Sequence, residues 1–184
     1  MTNENLGTMF SMLGMLVTVV SFQAGTKKHL LLLQTAGTAF YLISYIFSGG
    51  DIGVVLNAIY LIRNVWFLRL EKAPAARRYM ACGVLCAAYV LAFILYNAWS
   101  STGSVWWDVL PILGALFGTI AVVNVDINKI RMWKYGDSLS WLVYNCHIGL
   151  GALGGIVGEI FNLVSLTIGI YKNKKTGGRF EAQL

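Results

Sequence analysis

Apolar runs near 6–23, 30–48, 52–70, 79–99 and 107–124 limit this chain more than anything else in it. At about 1.5 Å per residue, each is long enough to cross a hydrocarbon core of about 30 Å. Charge is correspondingly scarce: 12% of the 184 residues are Asp, Glu, Lys or Arg, where a soluble domain needs about a quarter. The mean hydropathy is +0.66. An all-α membrane protein is therefore expected, with the lipid bilayer as its first partner. "MTNENLG" holds no Lys or Arg ahead of the first run, so that run is expected to be kept rather than cleaved as a signal peptide. The net charge is +6, but the basic residues lie between apolar runs and not on one face, so nucleic acid is not expected as a partner. Cys82, Cys86 and Cys146 fall inside apolar runs without metal-ligand spacing. They read as small buried hydrophobes, and neither a metal nor another cofactor is expected.

The count of crossings turns on the stretch from Trp141 to Tyr171. One helix there would be about 46 Å long, well over the hydrocarbon thickness. The glycines of "GLGALGG" (149–155) allow a turn in its middle. Charge decides the matter. Lys27 and Lys28, then Arg69, Lys72, Arg77 and Arg78, then Lys129, Arg131 and Lys134, and finally Lys172, Lys174, Lys175 and Arg179 form four basic groups. The connections at 48–51 and 100–108 have no Lys or Arg. Basic residues collect on the cytoplasmic side. All four groups share that side only if 141–171 crosses twice. Seven helices follow, with the N-terminus periplasmic and the C-terminus cytoplasmic, in a bacterial inner membrane. Trp99, Trp106 and Trp107 would anchor the outer surface, and Trp133 and Tyr135 the inner one.

Seven divides as three, one and three. Sliding the chain by about 101 positions sets Phe40 on Trp141, Gly53 on Gly154, Ile59 on Ile160 and Tyr60 on Phe161. Two like-oriented triple-helix repeats are expected at 1–75 and 105–175. A linker helix at 76–104 joins them, and a cytoplasmic tail follows at 176–184. The stretches "VVLNAIYLIRN", "VLPILGALFGTIA" (109–121) and "SWLVYNCHIG...GGIVGEIFNLV" (140–164) resemble the YgjV-like family of bacterial inner-membrane proteins. The three-one-three layout is similar to that of the SWEET sugar facilitators and the PnuC vitamin transporters, and that likeness implies trimers. SWEET helices use several hinge prolines, whereas here Pro111 alone lies in a span.

Polar residues inside the spans are the functional candidates. On a helix turning about 100° per residue, Gly53, Asn57, Tyr60, Leu61 and Asn64 share an arc of about 80°, with Arg63 beside it. In the last helix Gly151, Gly155, Gly158, Glu159 and Asn162 make a comparable stripe, bordered by Ser165, opposite Ile156, Ile160, Leu163, Leu166 and Ile170. Such stripes serve either close helix packing or the lining of a polar cavity. Asn57, Asn64, Tyr60, Asn145, Glu159 and Asn162 are thus expected to meet a solute. Glu159 must pair, hold a proton or line a wet cavity. Arg63 is its candidate partner unless it snorkels to the inner surface or faces a cavity, and His147 is a candidate relay. Asp137 or Ser138 reads as a helix N-cap.

No Ser-His-Asp set, HExxH or phosphate loop is present in the sequence, so an enzyme is not expected. The leading reading is a transporter or facilitator of a small polar solute of unknown identity, working by alternating access. The alternative is a structural or partner-binding membrane protein. A homo-oligomer suits either.

Overall fold

The computed structural model describes residues 3–48, 51–99, 105–148 and 153–175, and these form seven α-helices. They are α1 (Asn3–Ser21), α2 (Lys27–Ser48), α3 (Asp51–Arg69), α4 (Ala75–Trp99), α5 (Val105–Val123), α6 (Ile127–Ile148) and α7 (Leu153–Lys175). Local chemistry sets several starts. Thr26 Oγ1 accepts the His29 amide at 3.3 Å ahead of α2. Asp126 Oδ1 accepts the Asn128 amide at 2.7 Å ahead of α6. Pro74, which lacks an N–H, stands directly before α4, where none is needed.

The helix start expected at Asp137 or Ser138 is not there, and the stretch 129–134, expected as a loop, is helical. Lys129 is exposed, but the two charges after it do not reach water. Arg131 is 2% exposed and Lys134 7%. Each is answered by acceptors inside the protein, so the helix runs on where a hydropathy reading sees a connection. The turn expected at 149–155 falls partly on 149–152, outside the described residues, as does the tail at 176–184.

Among the described residues α2, α4 and α7 are long and apolar enough to cross a membrane, and α1 and α5 are shorter apolar helices. The two others, α3 and α6, carry Arg63, Lys134 and Asp137. The helices form a bundle in which α1 packs on α2 and α2 on α3, while α5 packs on α6 and α6 on α7. These sets meet where α1 touches α7 and α3 touches α5, and α4 lies against α3 and α5. Close approach depends on glycine. A Cβ on Gly14 would stand 3.0 Å from the Gly37 carbonyl and 3.2 Å from the Tyr41 ring. One on Gly114 would stand 2.9 Å from the Trp141 ring. Leu30, Leu31, Phe67, Ile130 and Leu166 fill the core. Met80, Val84, Leu91, Ile94 and Leu95 of α4 face outward, as befits lipid.

Candidate functional site

Helix α3 supplies the centre of the site. Arg63 is 2% exposed and Asn64 fully buried. Two nitrogens of the guanidinium, Nε and Nη2, donate to Asn64 Oδ1 at 3.1 and 2.9 Å. Its carbon lies 4.4 Å from the Tyr60 ring centroid, a cation–π contact in a dry setting. Tyr60 packs in turn on Tyr89 of α4 at 5.5 Å. The third nitrogen, Nη1, has no hydrogen-bond partner among the described residues, and neither does Asn64 Nδ2. A buried donor left unanswered costs about 1–3 kcal/mol, and more when it is charged.

The orphaned Nη1 points at α5. It lies 2.9 Å from where a Gly118 Cβ would stand, and Asp137 Oδ2 of α6 lies 2.6 Å from the same point. Arg63 and Asp137 therefore flank one glycine without forming an ion pair. Asp137 is paired with Lys134, whose Nζ donates to Oδ2 at 2.6 Å. That spacing of i and i+3 puts both on one face of α6. Asp137 sits near the middle of α6, about 15 Å from either end. Buried ions are tolerated at such depth only when paired and hydrogen-bonded.

Glu159 and Asn162 form a neighbouring polar pair on α7. Asn162 Nδ2 donates to Glu159 Oε2 at 3.2 Å, while Asn162 Oδ1 stays unpartnered among the described residues. Ser138 lies beside the Glu159 carboxylate. The α7 stripe turns inward only in its second half: Gly158, Asn162 and Ser165 are buried while Val157, Phe161 and Val164 are exposed, but Gly155 is itself exposed and Gly151 lies outside the described residues. Leu166, expected on the opposite face, is also fully buried.

The candidates read from sequence are only partly brought together. Tyr60, Arg63 and Asn64 share one cluster. Glu159 and Asn162 share another. Arg63 neither snorkels nor pairs with Glu159. The pair made among the described residues is Lys134–Asp137, three residues apart on one face of α6. His147 makes no ion pair with Glu159; it lies exposed at the end of α6, stacked on Trp107 at 3.8 Å and 9°. Asn145 packs its amide against Gly155, where a Cβ would meet Nδ2 at 2.6 Å. Asn57 is half-buried and engaged with a partner.

A second feature joins α1, α2, α5 and α6 at one end of the bundle. Lys27 Nζ donates to the carbonyls of Val122 and Asn124, at 2.5 and 2.8 Å. Arg131 donates from Nε to the Phe22 carbonyl at 3.1 Å and from Nη2 to the Ala24 carbonyl at 2.8 Å. Each cation thus caps the carbonyl end of a helix, where the backbone dipole is negative. Sequence reasoning missed Lys27, Arg131, Lys134 and Asp137 as interior groups. The Lys134–Asp137 spacing was the available signal.

The cluster offers hydrogen-bond donors, acceptors and charges of both signs. No group of three or more metal-ligating side chains occurs among the described residues. Two outer grooves, one along Ile62, Val65, Trp66 and Arg69 and one along Gln23, Ser165 and Lys172, do not include it. No curated protein and no solved structure matches the chain. A family model described as a bacterial inner membrane protein, Imp-YgjV, matches residues 5–177. Together with helices apolar enough to cross a bilayer, that match makes the chain a member of the YgjV family of bacterial inner-membrane proteins.

Proposed function

We propose that the protein is a transporter or facilitator of a small polar solute, alternating access between two triple-helix halves. One observation carries this. A charged cluster, out of contact with water, lies at mid-depth where α3 of one half meets α5 and α6 of the other. Intramembrane ionisable groups are kept at solute and ion pathways far more often than elsewhere, and transporter sites lie between repeats near the midplane.

Support for two halves, 1–75 and 105–175 with α4 between them, comes from positions a hundred residues apart. Gly14 lies against Tyr41, and Gly114 against Trp141. Lys27 bonds the carbonyls of 122 and 124, and Arg131 those of 22 and 24. This reciprocal clasp puts the ends of α1 and α5 together, as like-oriented halves require. The clustering of basic residues at that end supports a cytoplasmic C-terminus and a periplasmic N-terminus. In this reading the clasp is a closed inner gate, and opening to the cytoplasm separates each cation from its carbonyls.

The test is solute counterflow into proteoliposomes, paired with a thermal-shift screen of sugars, nucleosides, vitamins, carboxylates and amines. At least one class is expected to raise the melting temperature and to be taken up. Arg63→Gln and Asn162→Ala should abolish uptake in protein that still folds. No hit in any class, with a folded parent protein, rejects transport. A second reading, a partner-binding scaffold, has its own observation. Two interior glycines are covered by a neighbour's ring, Gly114 by Trp141 and Gly136 by Phe117, each with a ring atom 2.9 Å from the Cβ position. Solute-independent stability together with a reproducible protein partner would favour it.

A further inference from the structure

We infer that the groove between α1 and α7 seats an anionic phospholipid, with one acyl chain lying along it and the phosphate meeting Lys172. The inference stands apart from transport and needs only the membrane. The groove has a volume of about 310 Å³ and lies on the outside of the bundle, where the first and last helices touch. Val20 of α1 and Phe161, Val164 and Ile168 of α7 form its walls, and all four are exposed. Its floor is closed by hydrogen bonds across the seam. Ser165, 4% exposed, donates to the Val19 carbonyl at 2.6 Å, and Gln23 Nε2 donates to Ser165 Oγ at 2.8 Å.

Two features set this groove apart from the ordinary lipid-facing surface of a membrane helix. The first is its length. From Phe161 to Lys172 it follows α7 for about 16 Å, the depth of one leaflet in a hydrocarbon core of about 30 Å. The second is a cation held at one end. Lys172 Nζ donates to Gln23 Oε1 at 3.2 Å, so α1 draws the ammonium of α7 across the mouth of the groove. A lysine placed this way lays its methylene stem on apolar surface and keeps its charge at headgroup level. That end also carries the clasp, since Arg131 bonds the carbonyls of Phe22 and Ala24 on either side of Gln23. Basic pockets between membrane helices on the cytoplasmic side take anionic headgroups, and the leaflet there is negatively charged. A zwitterionic headgroup would bring a cation of its own to Lys172. A soluble anion would leave the apolar walls unused.

The experiment is native mass spectrometry of the delipidated protein with phosphatidylglycerol or phosphatidylcholine of the same acyl chains at equal concentration. Adducts with phosphatidylglycerol are expected to exceed those with phosphatidylcholine about fivefold. Lys172→Gln should bring that ratio close to one, and Lys172→Arg should keep it. Lys174→Gln removes the same charge from an exposed neighbour and should leave the ratio within about twofold of the parent. Val164→Trp, at an exposed position that needs no rearrangement to fold, fills the groove and should lower binding of both lipids. Excess glycerol 3-phosphate should not displace the bound lipid. Equal adducts of the two lipids overturn the inference. So does an equal loss from Lys172→Gln and Lys174→Gln, which means bulk charge alone. Displacement by glycerol 3-phosphate would mean an anion site without an acyl seat, and a dimer abolished by Val164→Trp would mean that a second copy covers the groove; either overturns it.

Discussion

The α1–α2 crossing and the α5–α6 crossing are built alike and filled differently. In the first, Thr18 Oγ1 lies 2.5 Å from where a Gly37 Cβ would stand. In the second, the glycine is on the other helix, and Asp137 reaches back to Gly118. One turn earlier on α6, Lys134 meets that carboxylate. Its counterpart in α2 is Gln34, 4% exposed, with neither amide atom partnered among the described residues. Gly37 has no side chain to answer it. The same close helix contact therefore serves as neutral packing on one side and as a charged site on the other. A close approach at a glycine occurs at both crossings, and the charged pair lies at one of them.

The most severe way to break this comparison is to remove the acid. Asp137→Ala leaves Lys134 buried without its counter-ion and should cost about 3–5 kcal/mol, read as a fall in the unfolding midpoint in detergent. Adding Lys134→Gln should recover part of the loss, because it removes the stranded ammonium and copies the residue of the first crossing. A variant within about 1 kcal/mol of the parent would mean the pair is not buried as described.

Next come Lys27→Met and Arg131→Met. Each removes two charge-assisted hydrogen bonds to helix-end carbonyls, for an expected loss of about 2–3 kcal/mol. The two losses should be similar, since the contacts are reciprocal, and both should raise labelling of a cysteine placed at the basic end. Strongly unequal losses would break the equivalence of the halves.

Gly37→Ala tests the neutral crossing. The new methyl would overlap Thr18 Oγ1, at a cost of about 1–3 kcal/mol. Thr18→Ala in the same chain should relieve part of it, and a double-mutant cycle measures the coupling. Additive losses would place the strain elsewhere. Smallest is Trp107→Ala, which removes the stacked ring beside His147. About 0.5–1 kcal/mol is expected at that exposed end, with no change in uptake.

Much of the fold was legible because lipid imposes a coarse rule: long apolar runs must be helices, and basic residues sort to one side. Five runs and the arc through Tyr60 and Asn64 follow from that. The first half of α6 did not follow, because local patterning reads Arg131, Lys134 and Asp137 as a solvated connection. Arg131 donates to the carbonyls of Phe22 and Ala24, and Lys134 donates to Asp137. The partners of Arg131 lie more than a hundred residues away in sequence. The Arg63–Asp137 meeting was hidden for the same reason. It depends on α5 approaching α6 closely at Gly118, which no periodicity announces. His147 misled in the other direction, since a ring near a helix end can lie flat on tryptophan as easily as it can face inward.

The peripheral helix α4 has a consequence of parity. Three crossings leave a chain on the side opposite its origin, and a second copy threaded from there would insert upside down. If every helix crosses once, α4 makes the number preceding α5 even, so the second trio enters from the face where the first began. A helix that lends few groups to the interior can thus be what lets an ancestral duplicate meet its twin right way up.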